Sequence, residues 1–253
     1  MKRFSLILAV LAAFSAPAFA NEGGKLHSPE GGWPQAGIFG TYDRAALRRG
    51  FEVYKQVCAS CHSLNLLSYR NLGDIGFPES EVKAIAADVQ VTDGPNDEGN
   101  MFERPGLPSD RFKAPFANEK AARAANGGAY PPDLSLITKA RHSGPDYVYS
   151  LLLGYEEPPA DVKLMDGMNY NPVFAGGQIG MPNPLSADDI ATYSDGTKAT
   201  RAQMASDVVQ FLTWAADPHM EDRKRMGIRA ILFLLVMAGV LYAAKVQLWK
   251  KVH

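Results

Sequence analysis

The sequence predicts a mainly α-helical domain with long loops, followed by one C-terminal transmembrane helix. Three observations carry that expectation. Apolar residues between Leu47 and Cys61 recur at three- and four-residue steps, the spacing that lines up one face of a helix. Stretches rich in Gly, Pro and charge separate the periodic segments, with 23 Gly and 17 Pro in 253 residues. From Ala230 to Ala244 no charged residue interrupts the chain. At 46% apolar composition the chain can bury one sizeable core or two small ones.

Residues 1–20 open on Lys2 and Arg3, run apolar from Leu6 to Phe14 and close on Ala18-Phe19-Ala20. A basic head, an apolar middle and small residues at the cleavage positions predict a secretory signal removed after Ala20. It is shorter and poorer in Arg and Ser than a mitochondrial transit peptide, so bacterial export is expected. Residues 21–40, with Gly, Pro and scattered aromatics, are expected to wrap over a core.

A helix is expected to begin at Thr41-Tyr42-Asp43, with Asp43 at the positive end of the dipole. Its buried stripe is Leu47, Gly50, Phe51, Tyr54, Val57, Cys58 and Cys61, which places both cysteines at the C-terminal end of one amphipathic helix. Glu79–Asp88 is a short helix, and 90–115 is expected to be a loop because prolines, glycines and charges crowd it. Asn118–Ala125 is helical and stops at Asn126-Gly127-Gly128. Asp146–Leu153 carries an aromatic and leucine stripe, and 154–184 is irregular. Asp195-Gly196 marks a turn. Thr200 caps a helix over 201–216 with Met204, Val208, Phe211, Leu212 and Ala215 inward, ended by Pro218. The expected organisation is a signal over 1–20, one exported domain over 21–222, an anchor with a basic flank over 223–248, and a cytoplasmic tail over 249–253.

Met226–Leu248 approaches the roughly 20 residues a spanning helix needs. Arg229 and Lys245 can snorkel, and Tyr242 and Trp249 suit the headgroup zone. Arg223, Lys224, Arg225 and Arg229 outnumber Lys245, Lys250 and Lys251, so counted charges weakly favour a cytoplasmic N-terminal side. The signal sequence decides otherwise, because it commits the preceding chain to export. The domain is expected on the periplasmic side of the bacterial inner membrane, with a single pass. Residues 21–222 hold all 27 acidic residues against 17 Lys and Arg, a formal charge of −10. Such a domain repels nucleic acid and favours basic protein partners.

Both cysteines fall in Cys58-Ala59-Ser60-Cys61-His62. Thiols at i and i+3 on a helix end can reach the two vinyl groups of one porphyrin, and His62 can offer an imidazole nitrogen to iron from the same side. This predicts one covalently bound haem c. A zinc site would need a second Cys/His pair, and a thioredoxin-like pair would need a strand before Cys58. A Cys58–Cys61 disulfide is the structural alternative in an oxidising compartment. For the sixth iron position, Met181 in Gly180-Met181-Pro182 sits in a loop that can present a thioether. Met165, Met168, His142 and an open site remain alternatives on spacing, while Met204 suits the core.

The chain resembles the cytochrome c1 family, the haem subunits of cytochrome bc1 (ubiquinol–cytochrome c reductase) complexes. The resemblance rests on the Cys58 motif, Tyr69–Leu72, Arg123–Ser135 (with Ala129-Tyr130-Pro131-Pro132-Asp133-Leu134-Ser135), Ala140–Ser150, Gly154–Pro159, Gly177–Pro182, Phe211–Pro218 and Arg223–Gly227. It implies a cytochrome c-like haem domain with His62 and Met181 as axial ligands and Arg141 holding a haem propionate. It also implies a pocket wall of Asn126, Pro131, Pro132, Leu134, Ile137, Tyr147, Leu151, Leu152 and Phe174. The implied partners are cytochrome b at the anchor, the Rieske iron–sulfur protein as donor and a soluble cytochrome c as acceptor, in a complex that dimerises. Some bacterial members carry a disulfide before the Met ligand. This chain has no cysteine for one, so Phe174 and the Pro-rich flanks are expected to hold that loop. Asp88, Asp93, Asp97, Glu98 and Glu103, with Glu156 and Glu157, are candidates either for a solvated loop or for a docking surface for basic cytochrome c.

Overall fold

A computed structural model describes residues 24–250; the expected signal sequence and residues 251–253 lie outside them. Helix α1, Arg44–Val53, starts where the sequence places it. Asp43 is extended, and its Oδ1 accepts from Ala45 N at 2.9 Å and Ala46 N at 3.2 Å, satisfying donors that a helix start leaves unpaired. The expected stripe does not run unbroken to Cys61. Tyr54–Cys58 widen into a π-helical turn, closed by Ala59 N donating to Tyr54 O at 2.8 Å. One extra residue in that turn re-aims the segment, and Cys61 lies beyond the helix end.

The core forms where α1 crosses α5, Arg201–Ala216. Thr200 caps α5 through Oγ1, which accepts from Gln203 N at 3.2 Å. The five residues expected inward on α5 are all buried. Gly50 makes the crossing possible: a Cβ there would lie 2.1 Å from the Asp207 carbonyl oxygen, so any side chain would push the helices apart. Around this point Phe51 meets Phe77 at 5.4 Å and Phe211 at 5.8 Å between ring centroids, while Tyr69 stacks on Phe112 at 4.6 Å. Buried Asp207 accepts from Arg49 Nε at 2.9 Å, Arg49 Nη2 at 3.2 Å and Gln203 Nε2 at 3.0 Å, which locks the two helices in register.

The connections are mainly helical and irregular, as expected. A 3-10 helix over Tyr69–Ile75, which periodicity did not flag, packs against α2, Glu79–Ala87. The segment read as a loop contains an antiparallel hairpin of β1, Gln90–Asp93, and β2, Phe102–Pro105. Four-residue strands with charges on both are too short to show alternation. Arg104 holds the hairpin by bonding both Asp93 and Asp110. Helix α3, Glu119–Ala125, is capped by Asn118, and α4, Gly144–Leu153, packs on α5. Within the irregular 154–184 stretch, β3 (Asn169–Tyr170) pairs with β4 (Gln178–Ile179).

Helix α6, Met220–Trp249, follows α5 after three residues. Its 30 residues extend about 45 Å, and Ile231, Leu232, Phe233, Leu235, Val236 and Leu241 are all exposed. It is the one helix among the described residues long and apolar enough to cross a membrane. Its first turns are fastened to the domain. Asp217 bridges Lys139 at 3.0 Å and Arg223 at 2.6 Å, and Glu221 binds Arg44 at 2.8 Å and Tyr42 N at 2.7 Å. The Tyr42 hydroxyl donates to Asp217 O at 3.0 Å.

Candidate haem site

The site begins where the π turn ends. Cys61 N and His62 N both donate to Cys58 O, at 3.1 and 2.9 Å, so the two thiols and the imidazole share one tight turn. The cysteines are not joined to each other, in contrast to the disulfide alternative. Burial, with Cys61 adding to it, pushes the Cys58 thiol up to about 12. A reactive redox cysteine requires the opposite shift.

His62 is oriented from behind. Its Nδ1 lies 2.8 Å from the Pro132 carbonyl oxygen. A carbonyl only accepts, so the ring proton sits on Nδ1 and the lone pair on Nε2. Burial lowers the ring's proton affinity and keeps it neutral. This is the arrangement a metal-binding imidazole needs.

Asp133 straps the Pro132 segment to the Cys turn. Its carboxylate accepts from Ser63 Oγ, Asn65 N and Ser135 N, each at 2.8 Å. Burial would raise its pKa, but the bonds from Ser135, Asn65 and Ser63 outweigh it and hold the carboxyl below the usual range. Tyr54 adds a bond from its hydroxyl to His62 O at 3.0 Å. Neither Tyr54 nor Asp133 was singled out as a site residue from sequence, although Asp133 sits inside the Ala129–Ser135 block.

Gly180, next to Met181, approaches the same segment. A Cβ on Gly180 would lie 3.0 Å from the Ala129 Cβ and 3.8 Å from the Met168 sulfur. The 129–132 stretch therefore touches both the Met181 loop and His62. Met181 is half-buried, and its carbonyl accepts from the Tyr155 hydroxyl at 3.0 Å. Met165 is exposed, and Met204 is buried in the core as expected. His142 is exposed.

The loop expected to rest on Phe174 and prolines is held mainly by Asn171. Fully buried, Asn171 donates from Nδ2 to Leu151 O at 2.8 Å and accepts at Oδ1 from Val173 N at 3.1 Å. Phe174 itself is only half-buried. A lone Asn in an irregular stretch gives sequence reading no signal.

Of the other expected wall residues, Leu134, Tyr147 and Leu152 are buried, Asn126, Pro131, Ile137 and Leu151 are half-buried, and Pro132 is exposed. Arg141 is exposed. Its Nη1 donates to Ala140 O at 3.1 Å. Two free thiols and a pre-oriented imidazole on one turn, to which Pro132 and Leu134 are bonded, fit a macrocycle bearing iron. Among the described residues no three His, Cys, Asp or Glu side chains gather as a bare-metal site would require. A separate cavity of ≈ 360 Å³ lined by Phe51, Tyr54, Ala59, Tyr69 and Phe112 contains neither cysteine nor His62.

Of the acidic residues, Asp88 pairs with Lys55, Asp93 with Arg104, and Glu103 accepts from Thr92. Asp97 and Glu98 are left exposed in the β1–β2 connection.

The sequence profile of the Cytochrome C1 family matches residues 33–252. This chain belongs to that family. It is 58% identical over 229 residues to "Cytochrome c1 1, heme protein, mitochondrial" of Arabidopsis thaliana, covering 90% of this chain and 74% of that one. It is 45% identical over 269 residues to "Cytochrome c1" of Rhodospirillum rubrum, covering 100% and 98%. A third relative, "Cytochrome b-c1 complex catalytic subunit, mitochondrial" of Candida albicans, is 53% identical over 210 residues, covering 83% and 73%. Family membership implies a haem cofactor.

Proposed function

We propose that this chain is the haem-bearing electron-transfer subunit of a bacterial cytochrome bc1 complex, taking electrons from a Rieske iron–sulfur protein and passing them to a soluble cytochrome c. Bound haem supplies one-electron redox chemistry at its iron. The Cys58 and Cys61 thiols would hold a single haem covalently. His62 Nε2 and the Met181 thioether would hold its iron, and the Arg141 guanidinium would pair with a propionate. The chain performs no catalysis alone. Cytochrome b flanks the anchor, the domain faces the periplasm after signal removal at Ala20, and the whole complex dimerises.

The observation that carries this reading is the oriented Cys58–Cys61–His62 turn in a chain of this family. The domain–anchor junction favours a fixed subunit over a free-standing tethered carrier. A shuttling carrier needs a flexible linker of useful reach; here three residues separate α5 from α6, and Asp217 and Glu221 tie them to Lys139, Arg223 and Arg44. Purification from membranes in mild detergent, followed by a reduced-minus-oxidised spectrum, tests it. A b-type band travelling with the c-type band is expected. A c-type band alone would favour the tethered carrier.

A further inference from the structure

We propose that the turn carrying Ile38 and Phe39 is a lipid-facing foot, seated in the headgroup zone of the membrane that α6 crosses. This goes beyond the electron-transfer reading and rests on the membrane anchoring within it. Ile38 is 67% exposed and Phe39 84% exposed. A solvated turn ordinarily presents Gly, Asn, Asp or Ser at its tip. Here the tip offers two large apolar side chains side by side.

The turn is built to hold them outward. Ala36 N donates to Trp33 O at 2.9 Å and Thr41 N to Pro34 O at 3.1 Å. Gly37 adopts φ 70°, a left-handed conformation that a side chain disfavours. Trp33 fixes the base, with Nε1 donating to Asp146 at 2.6 Å and its ring edge-on to Tyr149 at 5.9 Å. The exposed pair is thus presented by a braced loop.

Position supplies the occupant. Lys224 Nζ donates to Gln35 O at 2.7 Å and Gly40 O at 2.9 Å, clamping both ends of the turn to α6. Lys224 precedes the uncharged run from Ala230 by six residues, about 9 Å of helix, which sets it at the outer edge of a headgroup layer roughly 5–8 Å deep. Arg225 and Arg229 lie on the same stretch, and Met226 is 70% exposed there. An apolar tip clamped to the basic stretch at one end of a spanning helix, where Arg225 pairs with Asp222 at 3.2 Å, complements anionic phospholipid: Arg229 meets phosphates and the phenyl enters the upper acyl boundary.

The test labels single cysteines with an environment-sensitive fluorophore in the haem-loaded complex, reconstituted in phosphatidylglycerol/phosphatidylethanolamine vesicles. Phe39→Cys and, independently, Ile38→Cys report the foot. Met237→Cys reports the mid-span and Glu98→Cys the aqueous surface. Lipids carrying a nitroxide near the headgroup should quench the foot labels strongly, lipids with the nitroxide at the chain end should quench them weakly, and aqueous iodide should have little effect. Iodide quenching like that at Glu98 would overturn the proposal, placing the turn in water. Protection from both lipid nitroxides and iodide would also overturn it, assigning the turn to a protein partner. Iodide quenching of Met237 like that at Glu98 would instead overturn the membrane span itself.

Discussion

Replacing Asp207 by Ala should weaken the domain by an amount that the Asp207 surroundings set. The Asp207 side chain is 0% exposed and that of Arg49 14% exposed. Arg49 gives Asp207 two hydrogen bonds and Gln203 gives it a third. Removing one partner of a buried pair strands the other charge, which costs about 3–5 kcal/mol. Arg49 keeps a bond to Asp195 at 3.0 Å, whose side chain is 42% exposed, so the lower end, about 3 kcal/mol, is expected. For a domain of this size that lowers Tm by about 6–12 °C. Asp195→Ala removes the exposed half of the network and should cost at most about 1 kcal/mol. Thermal unfolding of the haem-loaded chain in detergent, followed by far-ultraviolet circular dichroism, compares the two. Arg49→Ala on top of Asp207→Ala should add little, because the pair acts as one unit. Equal, small shifts for Asp207→Ala and Asp195→Ala would refute the claim that this pair locks α1 on α5.

Cys58→Ser or Cys61→Ser should each remove one thioether, exposing a vinyl group and moving the pyridine haemochrome band to longer wavelength; unchanged bands in both would sink the attachment. Met181→Leu should leave haem attached but lower its potential, within the roughly 0.8 V over which axial ligands set haem potentials, and open the reduced iron to carbon monoxide. Parental behaviour would pass the ligand role to Met168, whose sulfur lies beside Gly180. Asp133 has a depressed carboxyl pKa when folded, so its contribution to stability is full above the unfolded value of about 3.9 and disappears as pH falls through the folded value. Asp133→Asn should therefore flatten stability against acid, measured by urea unfolding at stepped pH; parallel curves would contradict the strap. Neutralising Asp97 and Glu98 together should flatten the salt dependence of electron transfer to a basic cytochrome c in stopped-flow, while a steep dependence retained by the double variant would move docking to Glu156 and Glu157.

Legibility in the sequence tracked the reach of each signal. The α1 and α5 faces, the Thr200 cap and the long apolar helix all rest on local periodicity and capping, and the structure has them. The π turn at Tyr54 was not legible, because one inserted residue leaves the apolar spacing nearly unchanged while rotating the residues after Cys58. The β1–β2 hairpin hid among charges that pair across it, Arg104 with Asp93. At the site, Cys58, Cys61 and His62 stood out because their spacing is itself the chemistry. Asp133, Tyr155 and Asn171 did not, since they have partners 70, 26 and 20 residues away respectively, which no local pattern encodes.

The central claim is that one haem is bound covalently at Cys58 and Cys61 in an exported chain, and an intact-mass spectrum of the protein purified from membranes tests it most directly. The expected mass is that of the polypeptide cleaved after Ala20 plus a single haem that survives acid denaturation. A mass equal to the bare polypeptide, with the haem released by acid, would contradict it.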